Sequence, residues 1–161
     1  GHGESTAQML DDERRSLNYK NFTDAEHRKS ILDLEAAVEF LKSKGAVEIH
    51  LVGASIGANL SLQYLAEHSD IHSAILLSPG LNYRGIKTEE CAMKLHAGQA
   101  VYYAAADDDP YSAETVQALH QKTADGVTQE IKIFKRGGHG TDIFSTHPEF
   151  MDELISWLAQ L

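Results

Sequence analysis

The chain has 161 residues, the size of one domain on the usual scale of roughly 150 residues each. Hydrophobic residues make up 42% and charged residues 24%, a globular balance that excludes disorder and collagen-like repeats. A formal net charge of −10 repels phosphate backbones and anionic lipid, so neither a nucleic-acid nor a membrane partner is expected.

Residues Gly1-His2-Gly3-Glu4-Ser5 lack the basic and apolar regions of a signal peptide, and a cytoplasmic location is the expectation. Residues 1–22 offer no β-prone run; the stretch 9–19 is rich in Asp, Glu and Arg. Thr23 and Glu26 stand at capping-box spacing ahead of Ile31, Leu34, Val38 and Leu41. That is one apolar helical stripe, and Gly45 ends it. Residues 47–52 form a short β-prone run stopping at Gly53, and 56–68 read as a helix carrying Leu60, Leu62 and Leu65. A second strand over 71–77 closes at Ser78-Pro79-Gly80, followed by a loop and a short helix within 81–96. The spacing then predicts a third strand over 100–106 and a helix over 112–124 with Val116 and Leu119 inward. The fourth strand, 128–134, alternates Glu130 and Lys132 with Ile131 and Ile133, the pattern of a sheet edge. A last helix from Pro148 should bury Met151, Leu154, Ile155 and Leu158. Strands alternating with helices of this length predict the α/β class, a parallel sheet of about four strands flanked by helices, in a single domain over 1–161.

Gly53-Ala54-Ser55-Ile56-Gly57 fits G-x-S-x-G between a strand and a helix. A tight turn at that junction lifts a serine hydroxyl above the sheet. Serine is a weak nucleophile and needs a base in hydrogen-bond reach, itself oriented by an acid. Those partners belong at the carboxyl ends of later strands. The third strand runs into Asp107-Asp108-Asp109-Pro110, and the fourth into Gly137-Gly138-His139-Gly140. The chain order Ser, Asp, His is the one this turn requires.

With those residues in place, the chain resembles the C-terminal two-thirds of an α/β-hydrolase, closest to esterase-like and dienelactone-hydrolase-like members. The match is carried by Gly1-His2-Gly3-Glu4-Ser5, residues 53–57, Leu77-Ser78-Pro79-Gly80, Asp109-Pro110-Tyr111 and Gly138-His139-Gly140. The resemblance implies a serine hydrolase acting on carboxylic esters or thioesters through an acyl-serine intermediate. Ser55 would be the nucleophile, Asp109 the acid with Asp108 as its substitute, and His139 the general base. The Ile56 backbone N–H would be one oxyanion donor. No cofactor is implied.

The sequence departs from that family in lacking the strands that precede the elbow strand, any cap domain, and the loop that supplies a second oxyanion donor. Losing one donor typically costs about 10² to 10³ in turnover, so a weakly active or non-catalytic hydrolase-like module is the alternative. The strand at Val47 to Val52 would also become an open edge, predicting a homodimer or a partner segment there. A nicotinamide dehydrogenase, suggested by the spacing of Tyr83 and Lys87, fails because Asn59 stands where a third glycine is needed. The nine histidines show no H-x-x-x-H or H-E-x-x-H helical pattern, so no metal site is expected.

Overall fold

The computed structural model describes residues 4–161; the predicted role of Gly1-His2-Gly3 lies outside the described residues. The chain opens with a hairpin, β1 (Ala7–Leu10) and β2 (Glu13–Ser16), paired antiparallel. Asp11 and Asp12 at its tip both take positive φ, 49° and 65°, as a two-residue turn matched to strand twist demands. This corrects the expectation of no strand before residue 22, because turn chemistry rather than β-propensity closes the hairpin. It forms its own two-stranded sheet and adds nothing to the central one.

After a 3-10 turn at Tyr19–Asn21 come α1 (Asp24–Arg28) and α2 (Ile31–Ser43). Thr23 caps α1 with the predicted capping box, but the chain breaks at Lys29 and Ser30, so one expected helix is two. Val38 is the stripe's fully buried member, and Leu41 faces solvent. β3 (His50–Ala54), α3 (Ile56–Glu67) and β4 (Ser73–Leu77) follow. β3 starts three residues later than the 47–52 run predicts, and Val47 is 88% exposed. A small hairpin, β5 (Asn82–Tyr83) and β6 (Ile86–Lys87), precedes α4 (Thr88–Ala92).

β7 (Ala100–Ala106) and β8 (Thr128–Phe134) have the predicted bounds and flank α5 (Pro110–Lys122). α6 (Asp142–Thr146) was not expected, and α7 (Phe150–Leu158) ends the chain. α7 buries Phe150, Leu154 and Trp157, whereas Met151 and Ile155 face outward at 45% and 57% exposure. The predicted stripe is therefore rotated: the aromatic pair Phe150 and Trp157 packs edge-on against Tyr102, and that larger buried area fixes the facing side.

The central sheet runs β3-β4-β7-β8, all parallel, as the alternating pattern predicts. On one face Leu62, Leu65, Val116 and Leu119 from α3 and α5 pack with Leu51, Leu76, Val101 and Tyr103. On the other, α6 and α7 cover Ile75, Tyr102, Ala104 and Phe134. β3 and β8 are the edges. Val52 is in register with Ile75 and so lies on the α7 face, yet it is 60% exposed, because α7 reaches the inner strands and leaves β3 bare. At the other edge Lys132 pairs with Glu153 of α7 and lies over the Phe134 and Phe150 rings. Among the described residues no helix is long and apolar enough to cross a membrane.

The β3-to-α3 turn sets a steric test. A Cβ on Gly53 would lie 2.3 Å from the Gly57 carbonyl oxygen, against backbone that cannot step aside, while a Cβ on Gly57 would meet nothing within 4 Å. Gly53→Ala is expected to destabilise the fold by at least about 1–3 kcal/mol. Gly57→Ala is expected to change stability by no more than about 1 kcal/mol, through helix propensity alone. Urea unfolding of both variants checks the contrast.

Candidate active site

Because the four strands are parallel, their carboxyl ends share one edge of the sheet: Ala54 pairs Leu77, Leu77 pairs Ala104, and Ala104 pairs Lys132. The loops leaving that edge carry every predicted site residue. Ser55 follows β3 directly, its N–H continuing the ladder to Leu77 O at 2.9 Å. Its φ of 54° and ψ of −123° fall in a sparsely populated region for a non-glycine residue. Ser55 lines an open cleft at this edge of the sheet. Ile56 opens α3, so its backbone N–H has no carbonyl one turn earlier within the helix to accept it.

Asp109 lies at the end of β7 as the N-cap of α5, with Pro110 at the first helical position; that location favours a negative charge. His139 Nδ1 donates to Asp109 Oδ2 at 2.6 Å. The carboxylate side chain is 17% exposed and the imidazole 43%, so the acid is shielded while the ring is open to an incoming molecule. Burial alone would raise the Asp109 carboxyl, but Ser112 and His139 outweigh it and hold it below the usual range. Ser112 Oγ is buried without a well-formed hydrogen bond, close enough to favour the charged carboxylate.

Asp108, the predicted substitute acid, does something else. Its Oδ1 accepts the Gly137 and Gly138 N–H groups, both at 3.0 Å. From the other side Gly140 N–H donates to Ser78 Oγ at 2.8 Å; Ser78 is fully buried at the end of β4 with φ 49°. The His139 loop is therefore gripped on both flanks. Neither anchor was assigned that role from sequence, although Ser78 falls in the quoted 77–80 segment.

Ser55 Oγ makes no hydrogen bond among the described residues, and two contacts bring its turn and the His139 loop side by side. A Cβ on Gly140 would touch Ala54 Cβ at 3.4 Å, one residue from each. Tyr83 lines a cleft of about 440 Å³ with Ser55, Ile56, Tyr19, His27 and Arg84, and its ring meets His139 edge-on at 6.4 Å. The Tyr83 ring lies directly on Gly80, where any Cβ would strike it at 2.6 Å. Buried Asn59 fixes Gly80 by two hydrogen bonds, 2.8 and 3.0 Å. Asn59 is the residue that spoils the dinucleotide pattern, and this is its structural task. Lys87, the other half of the Tyr83 spacing, points to solvent and pairs with Glu90. No cluster able to hold a metal occurs among the described residues.

Comparison with known proteins agrees with this fold. No curated protein matches the chain. Among solved structures, a Pyrococcus furiosus esterase superposes with a TM-score of 0.70 at 17% identity, over 82% of this chain and 61% of its own. A Klebsiella pneumoniae protein assigned as a dienelactone hydrolase gives 0.60 at 18%, over 89% and 64%. A Pyrococcus horikoshii acylaminoacyl peptidase gives 0.59 at 15%, over 81% and 28%. The chain thus spans less than two-thirds of the length of each. The family model for the alpha/beta hydrolase fold matches residues 1–130, a stretch that includes Ser55 and Asp109 and stops short of His139. That match covers most of the sequence, and the chain belongs to the α/β-hydrolase fold family.

Proposed function

We propose that this chain is a serine hydrolase cleaving carboxylic esters or thioesters through an acyl intermediate on Ser55. The observation that carries the reading is the short His139–Asp109 hydrogen bond on a loop abutting the strained Ser55 turn. Asp109 accepts the Nδ1 proton, which leaves Nε2 as the free base. His139 takes the Ser55 proton as Oγ adds to the acyl carbon, then returns it to the departing alcohol or thiol. Water repeats the sequence: His139 removes its proton, hydroxide oxygen adds to the acyl carbon, and Ser55 recovers its proton as the acid leaves. The Ser–His contact is often long in unliganded enzymes and tightens with substrate. The Ile56 N–H stabilises the tetrahedral oxyanion.

Fluorophosphonate labelling with peptide mass spectrometry tests the nucleophile. Modification of Ser55 is expected, together with at least about a 10⁴-fold loss of ester turnover in Ser55→Ala and in His139→Ala. Labelling elsewhere, or unchanged rates, would sink the triad. Paired amide substitutions separate the acid from the anchor. Asp109→Asn is expected to lower turnover about 10³- to 10⁴-fold, because it upsets the imidazole tautomer. Asp108→Asn keeps an acceptor oxygen for Gly137 and Gly138 and should retain most activity, whereas Asp108→Ala, which frees the loop, should lose about 10²-fold.

The lowered Asp109 carboxyl also has a stability signature. A folded-state value below the unfolded one contributes stability that is complete above about pH 4 and is lost as pH falls through the folded value. Asp109→Asn is therefore expected to cost stability near about pH 6 and to flatten the loss on acidification, as urea midpoints near about pH 3 and about pH 6 would show. A wild-type slope in the variant would contradict the sign.

We further propose that the bare β3 edge, with Val47 and Val52 exposed, pairs with a second copy of this chain. Sedimentation equilibrium should show a concentration-dependent dimer that Val52→Lys weakens. A monomer at all concentrations removes the homodimer and leaves a different segment as the occupant of that edge.

A further inference from the structure

The cleft at Ser55 contains a cation that acyl transfer does not use. Arg84 lines it from the tip of the β5–β6 hairpin, where Arg84 and Gly85 take φ of 55° and 83°. Asn, Asp or Gly ordinarily fill such a turn, and an arginine there is strained. The neighbours hold it in place: Arg28 Nη1 donates to Arg84 O at 2.6 Å, and Arg84 Nη1 pairs with Asp24 Oδ1 at 3.1 Å. The pair is about half exposed on both sides, so it is weak and readily exchanged. Asp24 does not line the cleft, and the lining residues Tyr19, His27, Ser55, Ile56 and Tyr83 include no carboxylate. In a chain of net charge −10, the one permanently charged residue among the described lining of this cleft is thus a cation. A guanidinium offers five donors in a fork that fits a carboxylate bidentately.

Resting on the hydrolase reading above, we infer that Arg84 sets substrate class. The substrate is an ester or thioester bearing a carboxylate remote from its scissile carbonyl, and Arg84 exchanges Asp24 for that carboxylate as the acyl group enters the cleft. The aromatic walls, Tyr19 and Tyr83, provide apolar surface for the chain between the two carbonyl groups.

The test compares p-nitrophenyl hydrogen adipate with p-nitrophenyl hexanoate, which match in length and differ in the terminal carboxylate. Wild-type protein is expected to favour the adipate ester through KM. Arg84→Gln should lower that selectivity ratio by about tenfold or more, and Asp24→Asn, which releases the guanidinium, should raise it. Salt at about 0.5 M should depress it. A ratio in Arg84→Gln within about twofold of wild type would overturn the assignment. Calorimetric binding of the non-hydrolysable adipic monoanilide and hexananilide keeps this separate from the hydrolase reading. If Ser55 is not labelled and neither ester turns over, the hydrolase reading fails. Tighter binding of the monoanilide that is lost in Arg84→Gln would still sustain Arg84, and equal binding of the two anilides would overturn it.

Discussion

Ser55, Asp109 and His139 all hang on the register of four parallel strands. A parallel ladder sends all its carboxyl ends the same way, and here the backbone bonds run one residue past the strands to fix the loops as well. Ser55 N–H reaches Leu77 O, Ser78 N–H reaches Ala104 O, and Asp107 N–H reaches Phe134 O. The loop residues therefore inherit the spacing of the sheet. The three-alanine stretch of β7, residues 104–106, is fully buried and lets the helices on both faces approach closely. A larger side chain there would move α5 or α6, and with them Asp109 or the His139 loop.

Two backbone devices convert that register into a site. Gly53 admits the Gly57 carbonyl to a distance no side chain would allow, and this close approach permits the chain to turn sharply enough for Ser55 to stand free. The strain at Ser55 is offset by burial of α3, whose Ala58, Leu62 and Leu65 are completely enclosed. The glycine-rich His139 loop has the opposite problem: it has too much freedom. Its order comes from Asp108 and Ser78, which accept three of its N–H groups. A misplacement of about 1 Å can cost 10² in rate, so under the proposed mechanism these two anchors would bear on rate by holding the His139 loop.

The strand bounds of β7 and β8 were readable because each is a continuous β-prone run closed by polar punctuation. The Ser, Asp, His order was readable because sequence motifs mark strand ends. What escaped was set by tertiary packing or local geometry. The β1–β2 hairpin rests on two aspartates with positive φ, which composition reads as mere charge. Four aliphatic positions in α7 suggest one inward stripe, whereas Phe150 and Trp157 bury more area beside Tyr102 and set the face. Asp108 and Asp109 are identical neighbours in sequence. Only the start of α5 decides which one faces His139 and which one turns back to hold its loop.

The two faces of the sheet differ in a way that bears on how the molecule is used. The α3 and α5 face is complete from β3 to β8, but the other is covered only from β4 onward. Val52 and Ile155 are left exposed at 60% and 57%. An unpaired strand with an apolar side chain beside it is a template for addition of another strand, and covering each such valine or isoleucine is worth roughly 1.5–3 kcal/mol. The site lies at the carboxyl end of that same edge strand. A strand added to β3 would therefore extend the sheet next to Ser55. The edge that is costly to leave bare therefore adjoins the turn that carries Ser55.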